Sequence, residues 1–287
     1  MTPRLSRATV VALARFLGWV AWHVARRDRR VALANLDLAF GVGLSRRQKH
    51  AVALESFRTF ARVALDYFWF SRDGAERACR YVALDESVMP WLEEGALIAV
   101  TAHFGNWEIL GQVAARRGVP LASVAKPVRN PLVDAEVNKL REASGQSIIP
   151  RAGALKSLVR ILKNGGKVAL VLDQDTRVTE GGVFVDFFGV QVPVSSAPAA
   201  LALKLEIPIV PAFSLYEGGG RFRSYALAPL MPATIRGKTV AEITQLITTA
   251  IEQEIRRVPG QWLWMYKRWK RRMPGVDPSR YPFYADC

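Results

Sequence analysis

Residues 103–108 read His-Phe-Gly-Asn-Trp-Glu. A histidine with a carboxylate five positions on can act as a base and its orienting partner. Imidazole titrates near neutral pH, so His103 can take a proton from a hydroxyl. Glu108 would then fix its tautomer and stabilise the imidazolium. The same spacing also fits a capped turn in which the histidine merely packs. The flanking residues place the pair. The apolar run Ala96-Leu-Ile-Ala-Val100 predicts a buried parallel strand. Trp107 to Arg117 predicts a helix stopped by Gly118, with Pro120 just beyond. His103 therefore sits in a strand-to-helix turn. Gly105 lets that turn be tight, Asn106 suits the N-cap, and Glu108 suits the positive end of the helix dipole.

A second strand, Lys167 to Leu172, ends on Asp173-Gln-Asp175. Ligands of open α/β sheets bind beyond the carboxyl ends of the strands, so two strand ends with chemistry point to one site. Asp173 and Asp175 have two readings. They could hold a divalent metal on a nucleotide sugar, as in glycosyltransferases, or bond the backbone of a neighbouring loop. No Gly-rich phosphate loop, dinucleotide fingerprint or Gly-x-Ser-x-Gly elbow is present. Histidines at 23, 50 and 103 are too scattered for a zinc site by themselves. The residues alone leave a metal on Asp173 and Asp175 open.

Strands and helices alternate through most of the chain. Further helices are predicted at 132–143, 154–163, 197–205 and 239–257, and further strands at 121–125, 208–215 and 222–227. Alternation around Val183, Val185 and Phe187 suggests a strand or hairpin edge. A long helix, 48–70, has Leu54, Phe57, Ala61, Leu65 and Phe68 on one side. The fold class is α/β, a mixed, mainly parallel sheet flanked by helices.

The 287 residues carry 40 Lys and Arg against 25 Asp and Glu, a net charge of +15. The mean hydropathy is +0.08, high for so charged a chain, which hints at contact with lipid. Such a protein seeks polyanions: nucleic acid, anionic headgroups or an acidic protein. Cys79 and Cys287 make no disulfide framework, which suits a reducing compartment. Residues 8–25 are mostly apolar, with Phe16, Trp19 and Trp22, interrupted by Arg15 and His23; Arg26, Arg27, Arg29 and Arg30 follow. This predicts an uncleaved N-terminal membrane anchor lying in or tilted across the interface, with the rest cytoplasmic. An amphipathic helix packed on the domain is the alternative. Residues 1–30 are accordingly read as anchor and 31–287 as one domain. Near the C-terminus, Gln261 to Arg272 interleaves Trp262, Trp264 and Trp269 with five cations. Stacking on nucleic acid or docking on a membrane both suit it, and the N-terminal segment favours the membrane.

Taken in order, these segments resemble the lipid A biosynthesis (lauroyl/myristoyl) acyltransferase family, the late membrane-bound acyltransferases of Gram-negative bacteria, from about Val31 to Pro274. His103 and Glu108 match the family's H-x-x-x-x-D/E motif. Lys126-Pro-Val-Arg-Asn-Pro131 looks like its Arg-Pro-x-x-Asn-Pro stretch, with Lys126 in place of Arg. Arg141, Asp173-Gln-Asp175 through Phe187-Phe-Gly189, and Gln261-Trp-Leu-Trp264 through Lys270 match further motifs, with Tyr266-Lys267 where His-Arg is usual. The resemblance implies a glycerolipid-acyltransferase-like core, His103 and Glu108 as catalytic residues, and Arg141, Asp173, Asn106 and Lys126 as substrate-binding residues. The implied reaction needs no metal and no cofactor, and Asp173 would organise the site, paired with an arginine. It implies acyl transfer from acyl–acyl carrier protein to a lipid A precursor, a phosphorylated glycolipid, at the cytoplasmic face of the inner membrane, with no nucleic acid involved. Another glycolipid or a lysophospholipid is the alternative acceptor. The rival classes are a metal-dependent glycosyltransferase using Asp173 and Asp175, and a non-enzymatic basic membrane-binding protein.

Overall fold

Short apolar runs between helical segments make the strands of the computed structural model, which describes residues 2–93, 95–125, 131–151 and 153–286. The strands are β1 Val82–Leu84, β2 Leu97–Thr101, β3 Leu121–Ala125, β4 Ser147–Pro150, β5 Lys167–Val171, β6 Gly182–Phe187, β7 Val190–Ser195, β8 Ile209–Gly218 and β9 Arg221–Ala226. The helices are α1 Arg7–Val24, α2 Arg26–Phe40, α3 Arg46–Trp69, α4 Gly74–Tyr81, α5 Met89–Leu92, α6 Trp107–Arg116, α7 Pro131–Ala143, α8 Ala154–Lys163, α9 Ala197–Leu205, α10 Pro232–Ile235 and α11 Val240–Arg257. Seven strands form one sheet in the order β1-β9-β8-β2-β5-β3-β4; β6 and β7 pair as a separate antiparallel hairpin. All neighbours in the large sheet run parallel except β8 and β9. The mixed, mainly parallel sheet is as predicted.

The centre of the sheet has two unlike faces, because side chains alternate along each strand. Ile98, Val100, Val168 and Leu170 enter the main core with Leu158 and Leu162 of α8, Leu201 of α9, and Ile243, Ile247, Ile251 and Ile255 of α11. Leu97, Ala99 and Thr101 of β2, with Lys167, Ala169 and Val171 of β5, line a cavity of about 870 Å³, which Val100, Leu170 and Leu158 also border. Several of these side chains are small, which leaves space under the sheet.

The N-terminal segment is part of this fold. Val10, Ala14, Gly18 and Trp22 recur every four residues along α1 and are buried. They face α3 so closely that a Cβ on Gly18 would lie 2.5 Å from the Arg58 Cα. Arg7 is buried and ion-paired with Asp66 of α3, and its guanidinium lies 4.8 Å from the Trp69 ring centroid. The predicted boundary at residue 30 falls inside α2. Of the two expected interfacial tryptophans, Trp22 is turned inward and Trp19 outward, beside exposed Phe16, Leu17 and Val24. Among the described residues no single helix is long and apolar enough to cross a membrane. The bent pair Arg7–Val24 and Arg26–Gly43, meeting at 93°, reaches the required length and composition only together.

Two expectations are corrected by packing. The buried side of α3 is mixed: Phe57 is buried as expected, but so are Ser56, Thr59, Arg62 and Asp66, while Phe68 is exposed. Ser56 donates to the Trp262 carbonyl and Asp66 takes Arg7, so these groups are satisfied inside. The C-terminal tryptophans are core and not a docking surface. Trp262, Trp264 and Trp269 are at most 1% exposed, and so is Arg268, which donates to the Pro193 carbonyl at 3.3 Å. The chain after α11 passes under the residue 103 turn, where Gly105 N–H donates to the Gln261 carbonyl at 2.9 Å and Leu263 N–H to the His103 carbonyl at 3.2 Å.

Candidate active site

The β2 strand ends at Thr101, and the next turn brings His103 against Asp173, two residues beyond the end of β5. Strands β2 and β5 are adjacent and in register, Thr101 beside Val171, so the residues that follow them meet. The His103 backbone N–H donates to Asp173 Oδ2 at 3.0 Å, and His103 Nδ1 lies 2.8 Å from Asp173 Oδ1. Trp262 Nε1–H donates to Asp173 Oδ2 at 2.7 Å. A carboxylate only accepts, so Nδ1 carries a proton and neutral His103 has its lone pair on Nε2. Burial alone would press the imidazole down, but the charge and hydrogen bond of Asp173 reverse this and hold His103 above its ordinary value of 6.5. Burial acts to raise Asp173; the His103 charge and hydrogen bonds, with the Trp262 indole, outweigh it and hold the carboxyl below its ordinary range. The two shifts agree: the pair favours imidazolium beside carboxylate.

Glu108 does not orient the imidazole. It accepts from Arg141 through both oxygens, Nη2 to Oε1 at 2.6 Å and Nε to Oε2 at 3.1 Å, and from Trp107 Nε1 at 3.2 Å. The reason is direction: Glu108 is in the first turn of α6 and faces α7, where Arg141 lies. Its charge still reaches His103 and raises it slightly further. Arg141 is desolvated, which would lower it, but Glu108 holds it firmly charged. His103, Glu108 and Arg141 all line the cavity.

The remaining predicted residues divide. Asp173 is at the site, paired with His103 and Trp262 and, among the described residues, hydrogen-bonded to no arginine. Asn106 is 2% exposed and lies off the cavity. It accepts from Ile109 N–H at 3.1 Å as the cap of α6, and its Nδ2 donates to Asp66 Oδ2 at 3.2 Å. These contacts position the turn. Lys126 and the stretch to Asn130 lie outside the described residues. Asp175 does not share a site with Asp173: it accepts from Arg271 Nε at 2.8 Å and pairs with Lys270 at 3.3 Å. Among the described residues no group of three potential metal ligands forms.

Sequence reasoning missed Trp262 as a donor to the dyad and Gln174, whose Nε2 lies 3.3 Å from His103 Nε2. The only sequence signal for Gln174 was its place between two singled-out aspartates. The cavity opens beside His103 and runs along the sheet under α6, whose Leu110, Gly111 and Ala114 line it. From Asp173 back to Lys167, which also lines it, the strand spans ~20 Å at the rise of a parallel strand.

This is a base with a fixed tautomer at the mouth of an apolar channel, beside a pinned guanidinium. The description of bacterial lipid A biosynthesis acyltransferases matches residues 4–271. The chain belongs to that family. A lauroyltransferase of lipid A biosynthesis from Escherichia coli K12 is 26% identical over 274 residues, 92% of this chain and 86% of that protein. A lipid A biosynthesis acyltransferase from Haemophilus influenzae is 23% identical over 265 residues, 90% of this chain and 80% of the relative. A phosphatidylinositol mannoside acyltransferase of Mycobacterium tuberculosis is 28% identical over 179 residues, 61% of this chain; the match spans 54% of the mycobacterial protein. Among solved structures, the 1-acyl-sn-glycerophosphate acyltransferase of Thermotoga maritima aligns with 90% of this chain and 99% of that one, at 14% identity and a TM-score of 0.42. That likeness is too loose to transfer any detail. Of the motif residues, His103, Glu108, Arg141, Gln174 and Asp175 line the cavity, while Phe187, Phe188, Trp262, Trp264 and Trp269 belong to the core.

Proposed function

We propose that this protein transfers a fatty acyl chain from the thioester of acyl–acyl carrier protein to a hydroxyl of a lipid A precursor, at the cytoplasmic face of the inner membrane. The observation that carries this reading is the His103–Asp173 pair at the mouth of an apolar cavity of about 870 Å³. A channel ~20 Å long suits one acyl chain, since a whole bilayer's hydrocarbon is ~30 Å thick.

His103 Nε2 takes the proton of the acceptor hydroxyl as its oxygen attacks the thioester carbon. Asp173 holds the tautomer and stabilises the imidazolium that forms. The carbon–sulfur bond then breaks, and the leaving thiolate recovers the proton from His103. Arg141, fixed by Glu108, supplies positive charge at the mouth for an anionic substrate group. Lys270 and Arg271 pair with Asp175, which itself lines the cavity. The net charge of +15 favours an acidic carrier protein and a phosphorylated glycolipid. The exposed Phe16, Leu17, Trp19 and Val24, with exposed Arg15, Arg26, Arg27 and Arg30 nearby, suit contact with an anionic membrane surface. The glycosyltransferase reading loses its support, because Asp173 and Asp175 are each engaged elsewhere.

The test is acyl transfer by the purified full-length protein from dodecanoyl–acyl carrier protein to a phosphorylated tetraacyl glucosamine disaccharide, with products read by mass spectrometry. One added dodecanoyl group, lost with His103→Ala, is the expected result; a general base contributes about 10²–10⁴-fold. Transfer that survives His103→Ala would overturn the mechanism. Transfer only to a mannosylated phosphoinositide would replace the acceptor and keep the reaction.

A further inference from the structure

The catalytic nitrogen of His103 is covered in the free protein. With Nδ1 committed to Asp173, Nε2 is the only nitrogen that can accept a proton, and the Gln174 amide nitrogen lies 3.3 Å from it. When His103 is neutral its Nε2 lone pair accepts, and the Gln174 amide N–H is the donor that faces it. The acceptor hydroxyl needs that same lone pair. Gln174 must therefore leave before the reaction starts.

The residues on either side of Gln174 are anchored. Asp173 is held by three hydrogen bonds, from the His103 backbone, the His103 ring and the Trp262 indole. Asp175 is held by Arg271 and Lys270, and its backbone N–H donates to the Tyr266 hydroxyl at 3.1 Å. Between these two anchored residues, the half-buried Gln174 side chain lines the cavity. An anchored backbone keeps the Gln174 amide beside the base.

We propose that Gln174 is a catalytic residue with two positions: it caps His103 Nε2 in the resting protein, and when the acceptor displaces it, it donates its N–H to the oxyanion forming on the thioester carbonyl. This rests on the acyl-transfer reading above. Side-chain amides serve as oxyanion donors elsewhere, and one such donor typically carries 10²–10³ in kcat. The same swing keeps the base covered until the acceptor arrives, which disfavours attack of water on the thioester.

The experiment uses full-length Gln174→Ala and two readouts. The first is ethoxyformylation of His103 by diethyl pyrocarbonate, followed by peptide mass spectrometry. Removing the cap should speed modification of His103 several-fold over wild type, with His23 and His50 unchanged. The second is steady-state transfer of dodecanoyl groups from acyl carrier protein to the phosphorylated disaccharide. Here kcat should fall about 10²–10³-fold, with KM for either substrate moved little. Thioester hydrolysis without acceptor should rise relative to transfer. Gln174→Leu, which keeps bulk without a donor, should match the alanine variant in kcat. His103 modified at the wild-type rate in Gln174→Ala, or a wild-type kcat in both variants, would overturn the proposal. Failure of wild-type protein to transfer acyl groups would instead strike the functional reading, and the modification rate would still decide whether Gln174 caps the base.

Discussion

His103 has two carboxylates near it, and geometry separates their roles. Asp173 shares a hydrogen bond with Nδ1, while Glu108 is spent on Arg141. Substituting each should therefore have a different signature. Asp173→Asn keeps the shape but removes the charge that fixes the tautomer, and kcat should fall by about 10³–10⁴. Its pH profile should move as well. The free base is the active form, so wild-type kcat/KM declines as pH falls through the raised value of His103. Without Asp173, burial is left as the main influence and lowers the imidazole, so the acid limb should shift to lower pH. Glu108→Gln should displace that limb less and should raise KM for an anionic substrate, through a loosened Arg141. Profiles of kcat/KM for both variants check this. A larger limb shift in Glu108→Gln than in Asp173→Asn would return the orienting role to Glu108.

The elements place these residues through close backbone contacts that few side chains permit. Gly105 has φ +59°, and a Cβ there would sit 2.0 Å from the Ser214 carbonyl oxygen. The turn between β2 and α6 is thereby pressed onto β8, and Asn106 N–H donates to that same carbonyl at 2.8 Å. Gly105→Ala should cost the left-handed conformation, ~1–2 kcal/mol, plus overpacking of ~1–3 kcal/mol. Chemical denaturation should show a loss in that combined range, with His103 displaced and activity lost. A variant with wild-type stability would mean the turn is slack. The same physics governs α1, where Gly18 allows the approach to α3. The aromatic C-terminal motif likewise builds the site from behind: Trp262 stacks edge-on with Trp264 at 4.6 Å and donates to Asp173.

Across the whole molecule, charge and exposed apolar surface point to a lipid surface. A double substitution, Phe16→Ser with Trp19→Ser, changes exposed side chains on the far side of α1 from its buried stripe. It should leave the melting temperature almost unchanged while weakening sedimentation with vesicles of phosphatidylglycerol and phosphatidylethanolamine. Binding of wild-type protein should weaken as salt rises, because surface attraction is screened over about 8 Å at physiological ionic strength. Undiminished binding of the double variant would show that α1 is not the contact.

Alternation of apolar runs with amphipathic stretches was enough to define the α/β class, most strand and helix positions, and the strand-end location of His103 and Asp173. Those are local properties, written in period and punctuation. Partner choice was not local. Which carboxylate serves His103 depends on β2 and β5 being in register, which joins residues 70 apart in sequence. Aromatic and cationic composition near the C-terminus looked like a surface motif, because Trp262, Trp264, Arg268 and Trp269 carry no local mark of burial; the return of the chain under the β2 turn put them inside. The apolar stretch at residues 8–25 carried the composition of an interfacial segment; that it also packs on α3, through Gly18 against Arg58 and the Arg7–Asp66 pair, only the tertiary structure decided. The cavity was illegible for the same reason. It exists because small residues from several strands fall on one face of the sheet, and only the strand order brings them together.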